Sequence, residues 1–380
     1  MKSNFLLVFA CSVLLSFFGC KQINEKNSTP FSASANSVKY AKGLEIYKYD
    51  GYSVMKITKP WSEAISGFTY ILKEKNGIVP DSLKQFTVIS VPIQPIVVTS
   101  TTHIPSLEML NVENTLVGFP NTNFISSAKT RKRIDAGKVR EVGINESLNT
   151  EVLIDLKPDV IVSFGINNSN PTIDNLQKSG LNVLINGDWT EQSPLGKAEW
   201  IKFFGALYGL DVKANAQFTT IENNYKNAMA LAEKTTQKPT VLSGTMFQDQ
   251  WYVPQGESWV SVFLKDAKSD YLWKDSKGFG SLSLPFETIF DKAQNATFWI
   301  APGDFSSLKQ MSDSNPHYFK FSSFKNKKVY SYAINKGAKG GILYFELASA
   351  RPDLVLKDLI KIFHPELLPN YQPFFFQKLD

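Results

Sequence analysis

The sequence predicts an α/β fold of two lobes joined by one long helix. Three observations carry that reading. Short apolar strands alternate with helices on both sides of the middle of the chain, the pattern of a parallel sheet. Between the two alternating regions, residues 194–235 are helical only. The folded part starts near Val38 and runs for roughly 340 residues, more than one hydrophobic core usually holds.

In chain order, "LEIYKYDGYSVMKIT" from Leu44 reads as two strands around a turn at Asp50-Gly51. "GFTYILK" and "QFTVISVP" read as two more strands. "PIVVTS" begins the alternation, and a loop through Thr101, Thr102 and His103 leads to a helix opened at Pro105. Then come the strand "NTLVGFP", a helix holding Leu153, Ile154 and Leu156, the strand "DVIVSFG", the helix "TIDNLQKSG" and the strand "NVLING". "SPLGKAEWIKFFGALYG" reads as one helix stopped by Gly209, and the segment from Asp211 to Lys234 as a second, capped by Asp211. The second region gives "TVLSGTMF", "TFWIAP" and "VYSY" as strands and "WVSVFLKDA", "PFETIFDKAQ" and "RPDLVLKDLIKIF" as helices, the last begun by Pro352. The expected boundaries are therefore a first lobe at 38–193, helices at 194–235 and a second lobe at 236–380.

The N-terminus reads as an export signal over residues 1–20: Lys2, an apolar run from Phe5 to Phe18, then Gly19-Cys20. The run is too short to span a bilayer as a stable helix. Gly19-Cys20 looks like a lipobox, so Cys20 is the expected site of lipidation and cleavage. Cys11 leaves with the signal, which leaves one cysteine and no pair for a disulfide. Residues 21–37 are small and polar, a tether. The formal charge is +6, and "KTRKR" at 129–133 is the one basic knot. A solvated helix face explains it better than nucleic-acid binding.

The two halves also repeat a pattern. "TEVLIDLKPDVIVSFG" at 150–165 and "FETIFDKAQNATFWIAPG" at 286–303 each place a glutamate at the start of a helix, Glu151 and Glu287. Each has an aspartate four residues on, Asp155 and Asp291, and each ends in an apolar strand closed by glycine. With "SPLGKAEWIKFFGALYG", "WYVPQGESWVSVFLKDA" and "RPDLVLKDLIKIFHPELLP", these segments resemble the periplasmic binding proteins that serve ABC importers of iron chelates and vitamin B12. The resemblance runs from about Pro95 to Pro369 and leaves out the strands at 44–73. It implies two Rossmann-like lobes on a stiff helix, a ligand cleft between them and a small hinge motion. It also implies that Glu151 and Glu287 dock on arginines of the permease subunits, since a guanidinium fork pairs bidentately with a carboxylate. The implied cargo is an iron-siderophore, a cobalamin or a haem-like chelate, with no intrinsic cofactor. The implied molecule is an exported, membrane-anchored monomer.

Ligands of open α/β sheets sit outside the carboxyl ends of the strands. The loops there hold His103, Phe124, Trp189, Trp251, Tyr252 and Phe305, and flat aromatic faces with polar tips suit a large ring system. Trp259 and Trp273 follow helical spacing and read as core. A net-negative cargo would want arginines in the cleft; only Arg140 and Arg351 are placed to meet one, and that scarcity favours a neutral or weakly charged ligand. Two other readings stand beside this one. A binding protein for bare zinc or manganese would need clustered histidine and carboxylate ligands, and the histidines His103, His317 and His364 are scattered. A glycan-binding surface lipoprotein would use aromatic loops but leaves the stiff helix and paired glutamates without a purpose. Nucleophile elbow, P-loop, HExxH and paired Cys/His signatures are missing, so the reading is not an enzyme.

Overall fold

The computed structural model describes residues 35–167 and 170–380. The signal segment, Cys20 and most of the tether lie outside the described residues. Among the described residues, no helix is long and apolar enough to cross a membrane.

Two five-stranded sheets form the framework. The first has the order Val183–Ile185, Val160–Ser163, Ile96–Val98, Leu116–Phe119, Arg140–Glu141, all parallel. The second has the order Asp270–Tyr271, Thr240–Ser243, Phe298–Ile300, Val329–Ser331, Gln377–Lys378, parallel except for the last strand. Leaving out the edge strands Arg140–Glu141 and Gln377–Lys378, the two sheets connect their four remaining strands in the same way. The first strand in sequence pairs with the second on one side and the third on the other, and the fourth lies beyond the third. The repeat seen in the sequence is thus a topological repeat. In the first sheet, alternate residues face opposite ways. Ile96, Val98, Val160 and Val162 join one core, and Val97, Ile161, Val183 and Ile185 join another. Both faces are covered, as parallel sheets require.

The long helix spans Asp211–Ala232, about 33 Å at 1.5 Å per residue. Its buried stripe is Ala214, Phe218, Ile221, Tyr225, Ala228 and Ala232, spaced three and four apart. The first three pack in the first core and the last three in the second, so one helix braces both lobes. Gly205 lets the neighbouring Ile201–Leu207 helix approach, since a Cβ there would lie 2.5 Å from that of Ala214. Asp211 falls in the first turn rather than at the cap. Leu210 is the N-cap and makes no side-chain cap bond, and the Asp211 carboxylate pairs with Lys48 instead.

The segment read as one helix from Pro194 is two, Pro194–Glu199 and Ile201–Leu207. They break at Trp200, whose N–H donates to the Lys197 carbonyl 3.3 Å away, three residues back. "TVLSGTMF" likewise splits at Gly244, which takes φ 80 where the chain passes Tyr252. Thr245–Phe247 then joins Gln250–Pro254 and Ser281–Leu284 in a small antiparallel sheet.

The strands before the resemblance form a mixed sheet in sequence order, Leu44–Tyr49, Tyr52–Ile57, Phe68–Glu74 and Thr87–Val91. Leu44, Ile46, Met55 and Ile57 pack into the first core. The approach to this sheet starts inside the predicted tether: the Asn36 side chain accepts from the N–H groups of Val38 and Ile46. Two buried carboxylates clasp it. Glu199 accepts from the N–H groups of Lys39, Tyr40 and Ala41 and from Lys202 Nζ. Glu191 accepts from Lys42, Gly43 and the Trp200 indole.

Candidate functional site

A cavity of about 350 Å³ opens at the carboxyl ends of strands from both sheets. The first lobe supplies Thr102, Asp188 and Trp189, which follow Ile96–Val98 and Val183–Ile185. The second supplies Ser243, Ile300, Ala301 and Tyr332 from its strand ends, with Tyr252, Trp259, Tyr344 and Phe345 around them. Strand ends meet here because each parallel sheet leaves its loops on one edge. Ala301 takes φ 54, a left-handed conformation that a Cβ disfavours, at the lip of the cavity.

The walls are mostly apolar and the polar groups are few. Thr102 Oγ1 donates to Asp188 Oδ2 at 2.8 Å. Lys197 Nζ donates to the carbonyls of Trp189 at 3.0 Å and Asp188 at 3.2 Å, and it lies 5.2 Å from the Trp259 ring centre. Burial pulls the Lys197 pKa below its ordinary value, and the charges of Asp188 and Glu191 oppose that pull. Tyr332 and Tyr344 stack at 4.6 Å. Burial, with Asp304 nearby, pushes Tyr332 up to about 12, and burial raises Tyr344 as well. Both phenols therefore stay neutral around pH 7 and present flat rings with hydroxyl tips.

Of the aromatic residues singled out in the sequence, Trp189 (40% exposed) and Tyr252 (42%) line this cavity. Phe124, 62% exposed, lines a neighbouring cleft of about 260 Å³ with Asn121 of the first lobe and Gly341, Ile342 and Phe345 of the second. Three residues are elsewhere. Trp251 is fully buried, with ring centres of Trp299, Tyr318 and Phe321 5.1–5.7 Å away. It neighbours Tyr252 on a strand, so only one of the two can face the cavity. Phe305 packs against Tyr318 and the same core. His103 is buried beside Phe204, both ring nitrogens lack a protein partner, and burial lowers its pKa, so the ring is neutral. Trp259, read as core, forms cavity wall, whereas Trp273 is core. Arg140 pairs with Asp155 and Arg351 with Asp353, and neither lines the cavity.

Lys197, Tyr332 and Tyr344 went unnoticed in the sequence. The lysine sits in an ordinary-looking helix, and the tyrosines, twelve residues apart, lie one just after a strand and one in a short helix. Glu151 and Glu287 are both exposed on first turns, of Thr150–Leu156 and Phe286–Ala293. Those helices lead into Val160–Ser163 and Phe298–Ile300, which hold the same place in the two sheets.

A sequence model described as periplasmic binding protein matches residues 96–336. An uncharacterized lipoprotein of Methanocaldococcus jannaschii is 27% identical, covering 99% of this chain and 95% of the relative. A second lipoprotein of that organism is 24% identical over 97% of this chain and 96% of its own length. Among solved structures, a periplasmic heme binding protein from Pseudomonas aeruginosa superposes with a TM-score of 0.56 at 16% identity, covering 76% of this chain and 98% of that one. Helicobacter pylori CeuE with Ni(II) bound gives 0.55 at 16% identity, covering 75% and 88%. These two likenesses establish the two-lobe fold.

Proposed function

The chain belongs to the periplasmic binding protein family, and from that premise we propose that it is a lipid-anchored carrier of a metal chelate. It captures an iron-siderophore, a corrinoid or a haem between the lobes and delivers it to an ABC importer. The observation that carries this reading is the aromatic cavity at the strand ends of both sheets, with one lysine as its cation. Stacked neutral tyrosines and two tryptophans suit a conjugated ring. Lys197 suits an anionic edge on that ring. A bare zinc or manganese ion would need a cluster of protein ligands. Among the described residues no group of three or more His, Cys, Asp or Glu side chains converges, and a pre-formed chelate needs none. The haem named for the Pseudomonas protein lends support to the chelate class.

In the same reading, Glu151 and Glu287 are the permease contacts, one per lobe, and lipidated Cys20 holds the protein at an exported membrane face. The test is a tryptophan-fluorescence titration of residues 33–380, corrected for ligand absorbance, with cyanocobalamin, ferric hydroxamates, ferric catecholates and haem. Saturable binding of one class, weakened in Trp189→Ala and Lys197→Ala, is expected. Binding of none of the four would sink the chelate reading.

A further inference from the structure

A second hollow of about 510 Å³ adjoins the cavity and shares Trp189, Lys197 and Trp259 with it. Its outer wall comes from Lys59, Trp61 and Ser62. These residues belong to the N-terminal sheet region, before the family match begins at residue 96. Three tryptophans from three parts of the chain thus meet at one mouth: Trp61 from the added sheet, Trp189 from the first lobe and Trp259 from the second.

The added wall is built in. Trp61 lies against the backbone at Gly165, where a Cβ would approach its ring to 2.6 Å. The Trp189 indole donates to the Gly165 carbonyl at 3.1 Å, so both tryptophans flank the same glycine. Thr190 Oγ1 donates to the Lys59 carbonyl at 3.1 Å, and Gly187 passes so close to that carbonyl that a Cβ would lie 2.7 Å from it. Among the charged groups on the hollow, Lys59 and Lys197 are cationic. The one carboxylate, Glu191, already accepts from Lys42, Gly43 and Trp200.

We propose that the added N-terminal sheet completes the ligand site, with Trp61 and Lys59 binding a planar, anionic part of the cargo that extends out of the inner cavity. This rests on the carrier reading above and makes the addition a determinant of specificity. Indole faces stack on flat conjugated groups, and the paired lysines favour a carboxylate or sulfonate on them. The inner cavity alone is at the small end of ligand sites, whereas the two hollows together suit a larger cargo.

The experiment titrates the full-length protein in detergent with two probes separately, haemin and 8-anilinonaphthalene-1-sulfonate. The variants are Trp61→Ala, Trp61→Phe, Lys59→Ala and, as a control on the same addition, Ile65→Ala, which is exposed. Trp61→Ala should weaken a bound probe by about tenfold and Lys59→Ala by about threefold, while Trp61→Phe keeps most of the affinity and Ile65→Ala all of it. Because Trp61→Ala removes packing on Gly165, the surface change Lys59→Ala and the conservative Trp61→Phe keep the test independent of folding. If haemin binds the native protein and every Trp61 and Lys59 variant equally, the outer wall is no part of the site and the carrier reading survives. If haemin fails to bind but the sulfonate binds through Trp61, the outer site stands and haem is removed as cargo. If neither probe binds the native protein, the proposal is overturned.

Discussion

The two central sheets share a connection order and differ in what fills them. The strands of the first are mostly aliphatic, with one face on an aliphatic core and the other on a core that also holds Trp200, Phe203, Phe204 and Phe218. The central strand of the second carries Trp299, which sits 5.1–5.4 Å from Trp251, Tyr318 and Phe321. In the same lobe, Tyr332, Tyr344 and Phe376 form a further aromatic group that reaches the cavity. One topology therefore serves two roles. The first lobe offers Thr102, Asp188 and Trp189 to the cavity, and the second, the aromatic body, supplies most of the wall. The strand order places the cavity, and the packing behind the strands sets which lobe supplies most of its wall.

The largest effect should come from cutting the aromatic body itself. Trp251→Ala is expected to lower stability by about 4 kcal/mol, read by urea unfolding, because it empties the centre of a four-ring cluster. Trp189→Ala, at the cavity wall, should cost less than about 1 kcal/mol while weakening ligand binding. Equal costs would erase the distinction between body and wall.

The next effect tests the first lobe. Glu199→Ala removes the acceptor for three N–H groups and leaves Lys202 without its carboxylate. A loss of about 3 kcal/mol is expected. If the lobes melt separately in calorimetry, the shift belongs to the transition of the first lobe.

A third prediction concerns the seam between the lobes. Glu346, on Leu343–Leu347 of the second lobe, accepts from the N–H groups of Ser126 and Ser127 of the first, at 2.6 and 2.9 Å. Burial pushes its pKa from 4.5 to about 7, with Glu108 adding to the rise and the two N–H donors opposing it. A raised carboxyl takes up a proton on folding between pH 4.5 and 7, so stability present at low pH is lost as pH rises through that window. The slope from this group should approach about 1.4 kcal/mol per pH unit in mid-window. Glu346→Gln should flatten it in pH-dependent unfolding, and an unchanged slope would remove Glu346 as its source.

The smallest effect is on the repeated surface. Glu151→Ala and Glu287→Ala, both exposed, should each change stability by less than about 0.5 kcal/mol and leave ligand affinity intact. Uptake through the importer should fall in both, and a defect in only one would show that the matched helices are not matched in use.

Much of the framework was legible in the order of residues. The helix–strand repeat around Glu151 and Glu287 marked equivalent places in two sheets, and the uninterrupted helical segment from Asp211 to Lys234 marked a helix long enough to brace both. The site was legible only in part. Trp189 and Tyr252 were recognised as cavity residues, but Trp251 looked equally suitable, and Trp259 looked like core. Local spacing puts Trp251 and Tyr252 on opposite faces of a strand without saying which face is outward.

What the sequence by itself determined were the periodicities, and with them the α/β alternation and the bracing helix, because these depend on neighbours three or four residues apart. Only the tertiary structure decided which aromatic rings face the cavity. Trp61 meets Trp189 across Gly165, and Lys197 lies over Trp259, through contacts between distant segments. Burial of a large flat side chain is settled by whichever partners close over it, and no local pattern records them.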